Sequence, residues 1–576
     1  MFDLLIKGGS IVDGTGSETF TADIGVENGH IASIGKGIGS AKEVVDANGL
    51  LVTPGWIDIH THYDGQVTWD PDLAPTVWHG VSTLIMGNCG VGFAPATPER
   101  HEFLIRLMEG VEDIPAEALS AGLPWGWETF GEYLDVIDSM PRTMNVGAYI
   151  GHGAVRAYVM GDRGANNDPA TSEEIASMAD LVSKAITDGA LGFSSSRTEI
   201  HASSSTGEPV PGTYASEEEL LAIATEIQKH DALLEMVPRG VAGETGEKDV
   251  LFEETLLMER IARKSGCKLN FLLVQHNLQP SEWRRQLDLC ETAQNEGVRL
   301  IPQVAARPPS VLFSFQGDNP FEYLPSFAPL KALSFEQKIN ALRDPELKRT
   351  LLSEKDPNTT GMSIIYNSPT VWQSTTAMGH PLSYTPSKGD AISEIAKQRN
   401  QDPREVAYDL MLENDGRTFL MYAVTNYSDG NSDAMRDMIL SPSAVLGLSD
   451  AGAHVRQIVD AGMHTYMLTH WVREFEDDHP YHMPLEFVVK KLTHDNASLL
   501  GLKNRGSLAP GNVADINLID YQNLKIHHPY VLNDLPAGMP RLTQTCEGYV
   551  GTYVSGKCIQ SNGELTGARP GRLLRK

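Results

Sequence analysis

The middle of the chain, from residue 54 to residue 505, alternates short apolar runs with amphipathic helical stretches. This alternation is typical of parallel strand–helix units. Eight such units imply that the parallel strands close into a barrel. We therefore predict an α/β fold, a (β/α)8 TIM barrel, whose candidate strands begin near Gly55, Val81, Met144, Ala190, Leu233, Leu269, Arg299 and Val445.

The two ends of the chain have a different residue pattern, in which short strand-like runs are separated by Gly, Asp and Asn turns. We predict that residues 1–53 and 506–576 pair into one small β-sandwich domain and that residues 54–505 form the barrel. A long segment between the seventh and eighth strands, about 304–444, is rich in Pro, Phe and polar turns. We expect this segment to be a lid or a substrate-shaping insertion.

The formal net charge of −29 argues against a nucleic acid or an anionic membrane as partner, since either would require a basic face. The five cysteines are scattered, which fits a reducing cytoplasm better than a disulfide framework. We recognise no signal peptide and no stretch long and uncharged enough to span a bilayer. We expect a cytoplasmic protein that acts on a small molecule. Its oligomeric state stays open, with a homo-oligomer as one option.

The first candidate strand ends in His60-Thr61-His62, directly after an apolar run. Residues two apart on a strand point to the same face, and catalytic residues of such a barrel lie at the strand ends. Two imidazoles on one face form a ready metal chelate. The sequence therefore predicts that His60 and His62 bind a metal ion at the mouth of the barrel.

Three further strands end in residues that suit the same site. Cys89 follows the second strand among glycines, where the backbone can turn a thiolate into the mouth. The alternative for Cys89 is a small buried apolar side chain. His276 closes the apolar sixth strand, and Asp450 closes the eighth. A carboxylate in that position is costly unless it is paired or bound to a metal ion.

This order of residues resembles the amidohydrolase superfamily, and Cys89 in Gly-Asn-Cys-Gly resembles its D-aminoacylase (N-acyl-D-amino-acid deacylase) branch. Residues 506–515 look like the segment where such enzymes re-enter their small β-sandwich. The resemblance implies a cofactor of one or two divalent ions, and the thiolate and imidazole types favour zinc. It also implies metal ligation by His60, His62, Cys89, His276 and Asp450, with Asp450 as the general base.

Strand five departs from the family pattern, which has a metal-binding histidine there. This chain has Glu235 at the corresponding position and no histidine. A carboxylate ligates zinc at a distance similar to imidazole, so we expect Glu235 to complete the ligand set. The alternative is that Glu235 pairs with a nearby arginine such as Arg239, and His152 is then the first place to look for the missing ligand.

An N-acyl amino acid carries a carboxylate, and a bidentate arginine is the usual partner for that group. Arginines follow three of the predicted strands, and the alternative for each is a solvated surface charge. The candidates for substrate binding on the catalytic side of the barrel are Arg197, Arg239, Arg456, Tyr63, His152 and His454.

The resemblance implies that a metal-activated water cleaves an amide while Asp450 passes a proton to the departing amine. The expected substrates are N-acyl-D-amino acids or related N-acyl compounds, with the D preference implied by the resemblance alone. The alternatives are a hydantoinase-like cyclic-amide hydrolase, a deaminase and a non-catalytic scaffold. A hydantoinase would need a carbamylated lysine on strand four, and no lysine lies between Asp188 and Thr206. A scaffold would be expected to have lost its ligands.

Overall fold

The computed structural model describes residues 1–241, 249–357, 362–379 and 381–576. Its central sheet has eight parallel strands, each hydrogen-bonded to the next in chain order. All eight begin within two residues of their predicted starts, so the predicted α/β barrel is confirmed. The strands are β1 (Trp56–Asp58), β2 (Val81–Met86), β3 (Asn145–Gly151), β4 (Gly192–Ser196), β5 (Leu233–Val237), β6 (Lys268–Leu272), β7 (Leu300–Ala305) and β8 (Val445–Gly447).

The barrel closes between β1 and β8, just beyond the ends of both strands. Thr61 forms a parallel bridge with Ala451, and the backbone N–H of His62 donates to the Ala451 carbonyl at 2.8 Å. The inside of the barrel is filled by apolar side chains such as Ile57 and Val445. The packed interior leaves the C-terminal mouth as the place where polar side chains can gather.

Helices cover the outside of the barrel with one apolar face each. Ser172–Asp188 is an example: Thr171 caps its first turn in a capping box with Glu174, and Ile175, Val182 and Ile186 are buried along one stripe. None of the helices in the described ranges is long and apolar enough to cross a membrane. Asp433–Leu440, the last helix of the segment before β8, also packs on the barrel. The other helices outside that segment are His101–Glu112, Ala116–Gly122, Phe130–Asp138, His152–Met160, Asp162–Ala165, Glu217–Lys229, Val250–Ser265, Glu282–Asn295, Met463–Tyr466, the π-helix Met467–Arg473, Leu485–Leu492 and His494–Leu500.

Both ends of the chain contribute to one nine-stranded sheet. Its centre is the antiparallel pair Leu51–Pro54 and Ile516–Ile519. Residues 571–574 leave this sheet, and Leu573 instead bridges Val146 at the start of β3. The domain boundaries at 53 and 506 stay predictions. The remaining strands of the sheet are Phe2–Ile11, Phe20–Glu27, His30–Gly35, Ala41–Asp46, Tyr549–Val554, Lys557–Ser561 and Glu564–Leu565.

The segment between β7 and β8 folds around an apolar core of its own, which includes Phe313, Phe315 and Tyr408. It contains a three-stranded antiparallel sheet in which Leu420–Ala423 lies in the middle. Because the segment begins at the C-terminal end of β7, it lies on the mouth side of the barrel. Its other elements are the strands Ser310–Phe313 and Thr375–Ala377 and the helices Phe335–Leu342, Pro345–Ser353, Met362–Tyr366, Ile392–Arg399 and Pro403–Gly416.

A buried hydrogen bond joins the barrel to the small sheet. Trp56 on β1 is fully buried, and its indole N–H donates to the hydroxyl of Tyr549 at 2.9 Å. The same hydroxyl lies 3.2 Å from the Thr465 hydroxyl. One tyrosine of the small sheet therefore contacts two polar groups of the barrel, the Trp56 indole N–H and the Thr465 hydroxyl.

We expect Tyr549→Phe to lower the free energy of unfolding by about 1–3 kcal/mol, because it leaves the buried Trp56 N–H unsatisfied. Urea denaturation followed by tryptophan fluorescence would measure the change. The control is Tyr530→Phe at an exposed position, which should leave the midpoint in place. Equal midpoints for both variants would contradict the prediction.

Candidate metal centre

His60 and His62 lie beyond β1, because the strand ends at Asp58. The Asp58 carboxylate accepts the backbone N–H of His60 at 3.2 Å, and the Ala451 carbonyl holds that of His62. Both side chains are buried, and their ring centroids are 5.4 Å apart. Contacts of the backbone after the strand, and not strand alternation, thus hold the two rings together.

Cys89 lies in the turn after β2 and has a positive φ of 56°. The turn is tight, since a Cβ on Gly87 would come within 2.2 Å of the Tyr149 carbonyl oxygen. The Cys89 Sγ atom lies 3.4 Å from His60 Nε2 and 3.8 Å from His62 Nε2. The turn therefore directs the thiol towards both imidazoles.

Asp450 follows β8, and its carboxylate faces the same two rings. Its Oδ1 atom lies 3.2 Å from His60 Nε2 and 3.7 Å from His62 Nε2. Burial alone would raise the pKa of Asp450, but the hydrogen bonds and charges of the two histidines outweigh it and hold the pKa well below its usual value. Asp450 is therefore ionised at neutral pH, and with 24% of its side chain exposed it is reachable from the mouth.

Glu235 lies on β5 and points into the barrel, on the same face as Leu233. Its Oε2 atom accepts the Cys89 backbone N–H at 3.1 Å. Its Oε1 atom is buried and has no hydrogen-bond partner among the described residues. Burial raises the pKa of Glu235 to about 7. An unsatisfied buried carboxylate oxygen is costly, and a cation beside it would remove that cost.

The donor atoms at the mouth suit a zinc ion. In the described part of the chain, ligand atoms of His60, His62 and Cys89 all lie within 4.8 Å of one another. Imidazole and thiolate are ligands that zinc prefers. Burial and nearby carboxylates raise the pKa of the Cys89 thiol, whereas a bound metal ion would favour the thiolate.

His276 follows β6 and makes contacts with the neighbouring backbone. It forms a bridge with Thr425, and its Nδ1 accepts the backbone N–H of Leu278 at 3.1 Å. The metal-binding group found in the described ranges does not include it. Ligation by His276 stays a prediction drawn from the family resemblance.

All three candidate arginines pair with acidic side chains, and Arg197 and Arg456 make the shorter contacts. Arg197 Nε donates to one oxygen of Glu254 at 2.7 Å, and its Nη2 donates to the other at 3.2 Å. Arg456 donates to Asp113 at 2.6 Å and lies 3.3 Å from Asp318. Arg197 directs its bidentate face to a glutamate of the Val250–Ser265 helix, and its role in substrate binding stays a prediction.

His152 and Tyr63 make their hydrogen bonds within the protein. Both ring nitrogens of His152 are engaged, Nδ1 with the Ser195 hydroxyl and Nε2 with Glu219, each at 2.9 Å. Tyr63 is fully buried, and its hydroxyl bonds to Thr76 at 2.7 Å. Their roles in substrate binding stay predictions.

Arg239 and His454 remain placed where a substrate could meet them. Arg239 follows β5, is 30% exposed and pairs with Glu199 at 3.2 Å. His454 is 19% exposed, and its Nε2 lies 3.8 Å from Glu112 Oε2. Burial lowers the pKa of His454, and the nearby Asp450 carboxylate opposes that shift. Both stay candidates for substrate binding.

Sequence reasoning missed two residues near the cluster. Glu112, at the end of the His101–Glu112 helix, places Oε1 3.1 Å from His62 Nδ1. His201, after β4, hydrogen-bonds the Ser196 hydroxyl at 2.9 Å. Burial, together with repulsion from His454 and His62, lowers the pKa of His201 to about 3. Neither residue follows a strand directly, so no strand-end pattern marked it.

A family model described as the amidohydrolase family matches residues 43–560. The D-aminoacylase of Alcaligenes xylosoxydans xylosoxydans is 27% identical over 580 residues, which cover 100% of this chain and 97% of that protein.

Two solved structures share the fold over the whole chain. A D-aminoacylase described as having a binuclear metal centre superposes with a TM-score of 0.66 at 22% identity, covering 100% of both chains. The N-acyl-D-glutamate deacylase of Bordetella bronchiseptica, in complex with zinc and a phosphonate inhibitor, superposes at 0.65 with 23% identity and the same coverage. The predicted resemblance is confirmed. The match over residues 43–560 shows that the chain belongs to the amidohydrolase family.

Proposed function

We propose that this protein is a zinc-dependent hydrolase that removes the acyl group from N-acyl-D-amino acids. The observation that carries the proposal is the convergence of four side chains at the barrel mouth. The Nε2 atoms of His60 and His62 each lie between 3.2 and 3.8 Å from both Cys89 Sγ and Asp450 Oδ1. The full-length relative named D-aminoacylase supports the substrate class and its D configuration. A small-molecule substrate also agrees with the strongly acidic chain.

A zinc ion bound here would lower the pKa of a coordinated water and polarise the scissile carbonyl. His60, His62 and Cys89 would hold the ion, with Glu235 as a further ligand. Glu235 suits that role because its Oε1 atom is buried beside Cys89 without a hydrogen-bond partner in the described residues.

Asp450 is placed to move the proton. Its carboxylate is ionised and faces both histidines, at 3.2 Å from His60 and 3.7 Å from His62. Asp450 can therefore accept a proton from a water at this site and deliver it to the departing amine, which leaves poorly without one.

The structure gives no support to the hydantoinase alternative. That chemistry needs a carbamylated lysine on strand four, and β4 carries Ser194 near the cluster. The Ser194 hydroxyl accepts the Gly90 N–H at 3.0 Å and donates to the Gly87 carbonyl at 2.5 Å. The second strand's turn, not a bridging lysine, occupies the space beside β4.

The proposal is tested by release of free amine from matched N-acyl-D- and N-acyl-L-amino acids. We expect turnover of the D series by wild type and a loss of at least about 1000-fold in Asp450→Asn, in the range expected when a proton-transfer group is removed. The zinc content of the variant should stay near that of wild type. No amine release from either series by the zinc-loaded protein would overturn the proposal, and activity of the variant within tenfold would overturn the role of Asp450.

We expect Cys89→Ala to weaken zinc binding by more than about 100-fold, since loss of outer-sphere partners alone costs 10- to 100-fold. Competition with a chelator would measure the affinity. Cys290→Ala removes a buried thiol from the Glu282–Asn295 helix and serves as the matched control. Equal affinity in the two variants would show that Cys89 only packs beside the histidines.

We expect Glu235→Gln to flatten the pH dependence of stability in the metal-free protein. The pKa of Glu235 is about 7 in the folded chain and about 4.3 when unfolded. The folded state therefore retains a proton between these values that the unfolded state has lost, and stability falls as pH rises until it levels off above 7. The total loss of stability across this pH range is about 4 kcal/mol, and the Glu235→Gln variant avoids it because its side chain does not titrate.

Urea midpoints of the metal-free proteins from pH 5 to pH 8 would measure this difference. Glu18→Gln changes an exposed glutamate and should follow wild type at every pH. Parallel curves for wild type and Glu235→Gln would contradict the prediction. Added zinc should reduce the advantage of the glutamine, because the ion then compensates the charge of Glu235.

A further inference from the structure

We infer that Glu112 is a positioning residue, which fixes the orientation of the His62 ring and so sets how tightly the site holds its ion. The inference rests on the proposed function, because it takes His62 as a metal ligand. No sequence pattern pointed to Glu112, and its role follows from contacts at the end of one helix.

Glu112 is the last residue of the His101–Glu112 helix and is 1% exposed. Its Oε1 atom lies 3.1 Å from His62 Nδ1, and its Oε2 atom lies 3.8 Å from His454 Nε2. Neither His62 Nδ1 nor Glu112 Oε1 has a well-aligned hydrogen-bond partner among the described residues. Each is thus the nearest titratable partner of the other, and a small ring rotation would align them.

The two nitrogens of His62 have different neighbours. Nε2 faces Cys89 Sγ at 3.8 Å and Asp450 Oδ1 at 3.7 Å, whereas Nδ1 faces Glu112. A metal ion held by Nε2 would leave Nδ1 as the outer nitrogen. In metal sites the outer N–H of a ligating histidine commonly donates to a carboxylate, which fixes the tautomer and raises the basicity of the ligand.

The fold itself gives the Glu112 carboxyl group little other role. A buried carboxyl group needs a partner, and in the described part of the chain Glu112 lies close to the titratable side chains of His62 and His454. The glutamate one turn earlier, Glu109, differs: it pairs with Arg106 at 3.1 Å and accepts the Ala116 N–H at 3.0 Å. Glu109 therefore stabilises the helix, whereas Glu112 faces the site.

The backbone holds Glu112 in place independently of the ion. Its carbonyl accepts the backbone N–H of His454, and the next residue, Asp113, binds Arg456 at 2.6 Å. The helix end is thereby tied to the loop that follows Asp450. A carboxylate supported in this way can orient a ligand before the metal arrives.

The test compares Glu112→Gln with Glu109→Gln, a matched change one turn away on the same helix. We expect zinc affinity, measured by chelator competition, to fall about 10- to 100-fold in Glu112→Gln and to stay at the wild-type value in Glu109→Gln. With cobalt as the probe, the visible absorption bands should shift in the first variant alone. Glu112→Asp keeps the charge and should recover part of the affinity.

A double-mutant cycle isolates the proposed contact. In a His62→Ala background, Glu112→Gln should no longer change zinc affinity, because the ring that it positions is absent. Wild-type affinity and an unchanged cobalt spectrum in Glu112→Gln would overturn the inference. So would an equal effect of Glu112→Gln with and without His62.

These outcomes are separable from failure of the proposed function. Wild-type protein that binds no zinc would overturn both, whereas tight zinc binding with no effect of Glu112→Gln would overturn this inference alone. If Glu112→Gln does not fold, as judged by circular dichroism, the zinc affinity of Glu112→Asp is used instead. A Glu112→Asp variant that folds but binds zinc no better than His62→Ala would overturn the inference.

Discussion

The closure of the barrel between β1 and β8 is the constraint on which the site depends. Neither strand alone brings a donor set together, because β1 ends at Asp58 and β8 at Gly447. The hydrogen bond from His62 to Ala451 draws the two chain segments past those ends into register. That register places His60 3.2 Å from Asp450, although the two residues are far apart in the sequence. A barrel open at this seam would have the same residues and no site.

Closure also buries several carboxyl groups together at the mouth of the barrel. Burial raises the pKa of Glu235 and of Glu112, and the Asp450 carboxylate adds to the rise in both. The pKa of Asp450 stays low despite its burial because His60 and His62 face its carboxylate. A doubly charged cation among these groups would offset their repulsion. Metal binding and folding of the mouth are therefore expected to support each other.

The fold was predictable because strand–helix alternation is a local pattern that is repeated eight times. The strand-end residues His60, Cys89 and Asp450 were predicted as site residues for the same reason, and the structure brings their side chains together. The pattern could not show pairs that form through tertiary packing: Arg197 is bound by Glu254, which lies 57 residues further along the chain. The contact of Glu112 with His62 could not be predicted, because the sequence of a helix end does not show which distant side chain that end will face.

The segment between β7 and β8 has a further consequence. Its aromatic core around Phe315 and Tyr408 is separate from the barrel core, so its packing does not depend on the residues that hold the cluster. Substitutions confined to this aromatic core can be absorbed locally. Leu312, Met378 and Met421 of the same segment pack in the barrel core, so evolutionary drift in the segment is free only away from that shared face.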